Sequence, residues 1–176
     1  MGAVGFVNLS HGGVVDVETC GYRKHDARIA PKLLRSINEG DVALGDRAFN
    51  TYEFISRIIT ERKAHTIMRL HQSRHRKLDW RRGKRVSSFE RIVTWKKPNK
   101  PRSGSELSEE MWAETPDEIT LRYIKLGYEN RNGDRDVIVV VTDLLDHEKY
   151  PGEEVVDLYF RRWEIEVKFR DLKTTM

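Results

Sequence analysis

The sequence predicts an α/β domain, and three features of the chain favour this class. The first 70 residues alternate between short apolar runs typical of strands and segments with apolar residues at helical spacing. Two further runs with strand composition follow between residues 119 and 142. A long amphipathic segment then begins at Pro151-Gly152. Sheets and helices in this alternation pack in layers around one core, and 176 residues suffice for one sizeable domain.

The first 70 residues are predicted to form a hairpin followed by alternating helices and strands. The pair Gly12-Gly13 between two apolar runs is typical of a turn between antiparallel strands. Thr51 precedes a segment with helical periodicity and is a candidate N-cap. In order, the predicted elements are strands at 3–9 and 14–18, a helix at 26–38, a strand at 41–45, a helix at 51–62 and a strand at 65–70.

Residues 71–120 break this pattern, because their periodicity is poor and their charges are clustered. Residues 71–102 contain twelve Lys or Arg against two acids, whereas residues 103–119 contain six acids and no Lys or Arg. A basic segment beside an acidic one indicates a local site for a polyanion. Strands are expected at 119–126 and 137–142. We therefore interpret 71–142 as a mainly β, basic insertion in a core formed by 1–70 and 143–176.

Composition excludes several classes of protein. Cys20 is the single cysteine, so no intrachain disulfide can form, and a reducing compartment fits. No apolar run approaches the length that spans a membrane, and the first residues lack the layout of a signal peptide. The sequence therefore predicts a soluble, cytoplasmic protein without a membrane partner.

Four polar residues share one face of the predicted terminal helix: Tyr159, Arg162, Glu166 and Lys173. At about 100° per residue they form a narrow stripe roughly four turns long. Apolar residues flank the stripe on both sides, and the opposite face is charged, with Arg161 among its members. We expect such a stripe to face the protein or a groove rather than open solvent.

Asp46 is the candidate partner of this stripe. It follows the third predicted strand, and functional groups in α/β sheets gather beyond the carboxyl ends of strands. Together with Glu166 it would supply the oxygen donors that Mg²⁺ prefers. Arg162 and Lys173 add positive charge and Tyr159 adds a hydroxyl, all suited to phosphate. Each signal alone also has an ordinary interpretation, such as a turn-forming Asp or a surface Arg–Glu pair.

In combination these residues resemble a known family. The spacing Tyr159-x2-Arg162-x3-Glu166-x6-Lys173 matches the YREK signature of DDE (Asp-Asp-Glu) transposases of the insertion-sequence-four family. The segment around Asp46, Gly-Asp-Arg-Ala-Phe, is similar to the family's segment around its second catalytic Asp. The resemblance covers nearly the whole chain, since a β insertion between this Asp and the Glu is also a family feature.

The resemblance implies a ribonuclease H-like fold and metal-dependent cutting and joining of DNA, with Mg²⁺ or Mn²⁺ as cofactor. Asp46 and Glu166 would be catalytic metal ligands. Arg162 and Lys173 would hold DNA phosphates near the cleaved end, and Tyr159 would position that strand. The implied partners are double-stranded DNA, as transposon ends and target, and a second copy of the chain in a synaptic complex.

The chain departs from the family pattern at one point. The family's first catalytic Asp lies on a strand ahead of the hairpin, and this chain begins with the hairpin. Asp16 lies on the wrong strand for that role. The resemblance therefore implies a truncated transposase that is inactive alone. Two other interpretations stay open: a non-catalytic DNA-binding protein that uses the basic segment 71–102, and a structure-selective nuclease of the same fold.

Overall fold

A computed structural model describes residues 2–21, 26–71, 74, 78–105, 107–129, 133 and 135–175, and for 2, 20, 26, 27 and 164–175 it covers the backbone alone. Within these residues the fold is a mixed α/β arrangement. The strands are β1 (Gly2–Val7), β2 (Val14–Cys20), β3 (Val42–Gly45), β4 (His65–Arg69), β5 (Lys84–Arg85), β6 (Glu90–Lys96), β7 (Glu118–Glu129) and β8 (Arg135–Thr142). The helices are α1 (Asp26–Ile29), a 3-10 helix (Ala30–Ser36), α2 (Tyr52–Glu61), α3 (Glu109–Glu114) and α4 (Gly152–Thr175).

The predicted hairpin is confirmed, because β1 and β2 pair in antiparallel register. Gly12 has a φ of +71°, a conformation that glycine adopts without the steric cost of a side chain. The hairpin packs on α1 and the 3-10 helix. The Asp16 carboxylate accepts hydrogen bonds from Arg35 Nε at 2.9 Å and Arg35 Nη2 at 2.8 Å, and it also bonds the Ser36 hydroxyl. Asp16 therefore holds the hairpin on the 3-10 helix.

The prediction of one helix over 26–38 is wrong in its geometry. The α-helix ends at Ile29, and the chain continues as a 3-10 helix to Ser36. Pro31 explains the change, since it has no N–H to donate and its ring clashes with the carbonyl four residues earlier in an α-helix. The predicted apolar face survives, because Leu33 and Leu34 are buried.

The helix predicted at 51–62 is confirmed as α2. Thr51 caps it, and its hydroxyl oxygen accepts the backbone N–H of Phe54 at 3.2 Å. Ile55 and Ile58 on its inner face are fully buried. The strands predicted on either side of this helix are also confirmed, as β3 and β4.

Residues 71–120, whose periodicity in the sequence is poor, contain regular elements. Strand β6 pairs with β7 along its whole length, and α3 begins at Ser108, whose hydroxyl accepts the Met111 N–H at 3.2 Å. The charged residues Glu90, Arg91 and Lys96 obscured the alternation of β6 in the sequence. The strands expected at 119–126 and 137–142 are confirmed as β7 and β8, and both are longer than predicted. The sequence predicts a turn at 130–134 between them, and this turn lies outside the described residues except at Gly133.

Strands β3 to β8 form one sheet in the order β3-β4-β8-β7-β6-β5, in which only β3 and β4 are parallel among the described pairs. One face packs on α2 and the 3-10 helix, with Met68 and Leu121 in that cluster. The other face packs on α4, through Ile67, Val140 and Val156. The division of the chain into a core and an insertion at 71–142 stays a prediction. Strand β8, which falls in the predicted insertion, pairs with β4 of the predicted core in one sheet. No described helix has the length and apolar character needed to cross a membrane.

Candidate active site

Asp46 lies directly after β3, where the chain turns toward α2. Its Oδ1 accepts the backbone N–H of Arg47 at 2.7 Å, and its carbonyl accepts the N–H of Phe49 at 2.9 Å. Gly45 before it is buried against Met68 of β4, and a Cβ at position 45 would overlap the Met68 sulfur. The missing side chain lets the two strands pack closely and fixes the direction in which Asp46 leaves the sheet.

Helix α4 presents the first half of the predicted polar stripe to the protein. Tyr159 is 1% exposed and packs in the cluster between α4 and the sheet. Arg162 is half-buried, and its neighbour Arg161, expected on the opposite face, is exposed but also lines the groove between β1, β3 and α4. The guanidinium carbon of Arg162 lies 5.5 Å from the centre of the Tyr159 ring and 5.7 Å from that of Trp163. Both distances are within the range of cation–π attraction, which restrains the Arg162 head group.

Asp46 and Arg162 line the same groove, which has a volume of about 460 Å³ and runs between β1, β3 and α4. Leu44 packs in the cluster on the α4 face of the sheet, so alternation along the strand directs Asp46 to that face as well. The sequence-predicted residues Asp46, Tyr159 and Arg162 therefore come together at one end of the sheet.

The environment of Tyr159 keeps its hydroxyl protonated. Burial raises the pKa of this phenol; the positive charge of Arg162 opposes the rise, and the negative charge of Asp46 adds to it. At neutral pH the group is a hydrogen-bond donor rather than a base. A hydrogen bond with the Arg162 side chain likewise opposes the rise.

Glu166 and Lys173 belong to α4, but their side chains lie outside the described residues. Their roles remain predictions. In the described part of the chain no group of three His, Cys, Asp or Glu side chains could hold a metal ion. A half-buried carboxylate on a groove suits a hard divalent cation, so Asp46 fits as one ligand and needs a second oxygen donor.

Arg69 is a candidate site residue that the sequence reasoning missed. Gly45 pairs with Met68 in the parallel register of β3 and β4, so Asp46 and Arg69 follow next to each other. Arg69 stands two residues after Ile67, which faces α4, and so it faces α4 too. Its positive charge opposes the rise that burial causes in the pKa of Tyr159. The sequence held a signal for Arg69, because this residue ends a strand just as Asp46 follows one. The sequence did not show that these two strands pair in parallel.

A buried arginine fixes where α4 begins. Arg122 is fully buried on the α4 face of β7, and its Nε donates to Glu90 Oε2 at 2.6 Å. Its Nη1 donates to the carbonyl of Tyr150 at 2.7 Å and to that of Leu144 at 3.3 Å. At Gly152 an added Cβ would lie 2.7 Å from Glu90 Oε1. The ion pair thus ties β6, β7 and the loop before α4 together, which sets the direction of the helix across the sheet.

Comparisons with known proteins point to one family. The family model described as "Transposase DDE domain" matches residues 2–176. The curated transposase InsG for insertion sequence element IS4, from Escherichia coli (strain K12), is 34% identical over 65 residues, which are 37% of this chain and 14% of that protein. The match thus spans a small part of that relative's length. No solved structure matches the chain.

Proposed function

The chain belongs to the transposase DDE domain family, and we propose that it serves metal-dependent cleavage and joining of DNA on a ribonuclease H-like core. The family predicted from the YREK signature is confirmed. The observation that carries the proposal is the groove that Asp46 and Arg162 share. A carboxylate beside a fixed cation can serve both a metal ion and a DNA phosphate.

In this proposal Asp46 and Glu166 hold Mg²⁺ or Mn²⁺. Bound divalent ions activate water and stabilise the leaving oxygen of a phosphodiester. Asp46 enters the groove from the end of β3, and Glu166 lies on α4 four residues after Arg162. Because Arg122 fixes the start of α4, it also sets which residues of the helix lie over Asp46.

The DNA strand would be held by the cations and donors around these carboxylates. Arg162 lines the groove, and the buried Tyr159 ring holds the Arg162 guanidinium in position. Arg69 adds a further positive charge beside Asp46, and Lys173 would extend the contact along α4. Charge-assisted hydrogen bonds to phosphate oxygens fix the register of DNA without reading its sequence.

An extended segment that carries another carboxylate would complete the site. Among the described pairs, β1 hydrogen-bonds only to β2 and β3 only to β4, and residues of both strands line the groove. The edges on the groove therefore carry backbone groups that can pair with an added strand. We propose that such a strand brings an Asp beside Asp46 and that the chain alone is inactive. A second copy in a synaptic complex belongs to the same proposal.

Metal binding tests the two ligands directly. Tb³⁺ luminescence, excited through the aromatic residues of α4, should rise with the wild-type chain and fall when Mn²⁺ competes. Asp46→Asn and Glu166→Gln should each abolish the signal. Asp157→Asn is the matched control, because Asp157 is an exposed acid on the same helix. A signal in Asp46→Asn equal to wild type would contradict the metal site.

Activity tests the added strand. A chain extended at its amino terminus by an alternating strand of about six residues with one Asp should nick supercoiled plasmid DNA when Mn²⁺ is present. The same extension with Asn in place of that Asp is the control and should be inactive. Nicking that persists after Asp46→Asn would point to another site or a contaminant and would refute the proposal.

A second candidate function, DNA binding without catalysis, is favoured by the exposure of the basic segment. The side chains of Arg81 and Arg82 are 92% and 86% exposed, and Lys84 and Arg85 of the edge strand β5 are exposed as well. Replacing these residues by Ala should weaken duplex binding and lower the salt dependence, with a slope change of about 0.9 per lost phosphate contact. Under this candidate Glu166→Gln changes nothing measurable, whereas the main proposal requires it to abolish nicking by the extended chain.

A further inference from the structure

Strands β7 and β8 continue as a two-stranded ribbon beyond the end of β4. Among the described pairs, β4 reaches along β8 as far as Val140, whereas β7 and β8 stay paired as far as Glu129 and Arg135. The last four residue pairs, which we call the ribbon, lie past Arg69, the final residue of β4. At about 3.3 Å per residue the ribbon is roughly 13 Å long. It leaves the sheet at the end where Asp46 follows β3, because β3 and β4 are parallel.

Tyr128 lies on the ribbon and faces α4. It is half-buried and packs on the cluster between α4 and the sheet. Its ring centre lies 5.5 Å from that of Phe160, and the Phe160 ring centre lies 6.1 Å from that of Tyr159. A row of three rings thus joins the ribbon to the helical turn that carries Tyr159 and Arg162. Aromatic rings at such distances attract each other, so this turn of α4 is held against the ribbon.

The Tyr128 hydroxyl is bound to an acid on the neighbouring strand. It donates a hydrogen bond to Asp136 Oδ2 at 3.0 Å. Tyr128 and Asp136 are directly opposite each other in the register of β7 and β8, so the bond crosses the ribbon. The other carboxylate oxygen, Asp136 Oδ1, accepts the backbone N–H of Val137 at 2.7 Å. The packed ring and the bonded hydroxyl together give Tyr128 one orientation.

Arg69 also reaches the Tyr128 hydroxyl. Both side chains are on the α4 face, and the ribbon begins where Arg69 ends its strand. Burial and the Asp136 carboxylate raise the pKa of Tyr128, whereas the charge of Arg69 and a hydrogen bond with its side chain lower it. Arginine has no acceptor, so in this bond the guanidinium donates to the phenolic oxygen. The same charge acts on Tyr159, where it opposes the rise in pKa that burial causes. Arg69 therefore lies within reach of both tyrosines.

A fixed guanidinium beside Asp46 has an advantage over a mobile one. An unrestrained arginine side chain samples many rotamers, and this freedom is lost when it binds a ligand. If another part of the protein already orders the side chain, binding no longer bears that cost. Because a guanidinium has several N–H donors, one can serve Tyr128 while the others meet a phosphate.

We propose that Tyr128 is a positioning residue for DNA cleavage, which holds the Arg69 guanidinium beside Asp46 so that it meets the phosphate under attack. The two parts of the side chain have separate tasks, because the ring packs α4 and the hydroxyl orients the cation. The ribbon thus acts on the reaction through Arg69, and Tyr128 itself does not contact DNA. The inference rests on the proposed function, since that function supplies the phosphate that Arg69 meets.

Nuclear magnetic resonance of the arginine side chains measures the orientation of Arg69 in the wild-type chain. Arg69→Lys removes one guanidinium N–H signal and thereby assigns it. The hydrogen of this group should exchange with water about 10-fold faster in Tyr128→Phe, which keeps the ring and loses the hydroxyl that accepts the bond. Tyr52→Phe is the matched control and should leave the signal unchanged. The Tyr52 hydroxyl donates to the carbonyl of Pro116 at 2.6 Å on the opposite face of the sheet.

Nicking by the extended chain, which carries the added strand with its Asp, tests whether this orientation serves the reaction. At saturating DNA, Tyr128→Phe should lower the rate roughly 10-fold and leave the DNA concentration for half-maximal rate nearly unchanged, because a misplaced group weakens the transition state. In an Arg69→Ala background, Tyr128→Phe should change the rate by less than about 2-fold, because the residue that it positions is absent. Asp136→Asn keeps an acceptor for the hydroxyl and should slow nicking less than Asp136→Ala.

Each alternative result has a definite meaning. An Arg69 signal that is the same in Tyr128→Phe and wild type overturns the inference and leaves the proposed function standing. An equal loss of rate from Tyr128→Phe with and without Arg69 also overturns it, because the hydroxyl then acts on another group. A urea midpoint that falls far enough to explain the lost rate makes Tyr128 structural, with the same consequence. If the extended chain with all its site residues does not nick DNA, the proposed function fails, and the Arg69 signal alone decides whether Tyr128 orients this side chain.

Discussion

Replacing Arg122 by leucine tests whether α4 is held on the sheet by a buried ion pair. Arg122 is fully buried, and the side chain of its partner Glu90 is 14% exposed. The variant leaves the Glu90 carboxylate in the interior without a counter-charge. It also removes the donor that the carbonyls of Leu144 and Tyr150 share.

The expected loss follows from these contacts. Breaking a buried pair by removal of one partner costs about 3–5 kcal/mol, because the remaining charge is desolvated and unpaired. The two carbonyls lose hydrogen bonds worth roughly 1 kcal/mol each, and the buried leucine returns about 2 kcal/mol. We therefore expect Arg122→Leu to lower the free energy of unfolding by about 3–5 kcal/mol.

Urea unfolding followed by circular dichroism measures this loss. With a slope near 2 kcal/mol per molar urea, the midpoint should fall by about 2 M. The double variant Arg122→Leu with Glu90→Leu should recover much of the loss, because an apolar pair often replaces a buried ion pair at little cost. Arg57→Ala, which breaks the more exposed i, i+4 pair with Glu61 at 2.6 Å, is the control and should cost about 0.5 kcal/mol. An Arg122→Leu chain within 1 kcal/mol of wild type, or no recovery in the double variant, would refute this explanation of how α4 is placed.

Three further predictions concern residues that position the site. Gly45→Ala should lower the free energy of unfolding by about 1–3 kcal/mol and weaken Tb³⁺ binding, because the new methyl group must displace Met68 beside Asp46. Urea midpoints and luminescence check both effects, and unchanged values would contradict the close packing. Hydrogen bonds from Arg35 hold the pKa of Asp16 below its ordinary value. The stability that Asp16 contributes is therefore present above the unfolded pKa near 4 and is lost as the pH falls through the lowered folded value. In Asp16→Asn the urea midpoint should depend less on pH in this acidic range. An unchanged pH dependence would count against the Asp16–Arg35 pair. Thr51→Ala should lower the free energy of unfolding by about 1 kcal/mol through loss of the N-cap, and Thr51→Ser, which keeps the hydroxyl, should restore it in the same urea assay.

Much of the fold follows from local patterns. The turn at Gly12 and the cap at Thr51 depend on hydrogen bonds between residues a few positions apart, and both were predicted correctly. The kink after Ile29 was equally local, since Pro31 alone accounts for the 3-10 helix. Strand β6 was not located in the sequence, because it is stabilised by pairing with β7 and no signal within its seven residues reports the partner.

In the candidate site, too, some features follow from the local sequence and others from the tertiary structure. By itself, the sequence determined the family and the spacing of Tyr159, Arg162, Glu166 and Lys173, because helical periodicity converts spacing into a shared face. Only the tertiary structure decided that Arg69 stands beside Asp46, since strand register depends on the burial of whole faces.

The two features outside the family signature were also decided by tertiary structure. Arg122 has an unremarkable place in the sequence, and its role comes from partners on β6 and in the loop before α4. The concave surface between β6 and residues 78–83 likewise brings Trp80 and Trp95 to Tyr123, which lies on another strand. Contacts between distant segments form only when the apolar faces of the sheet are buried, so the free energy of packing, and not local propensity, places these residues together.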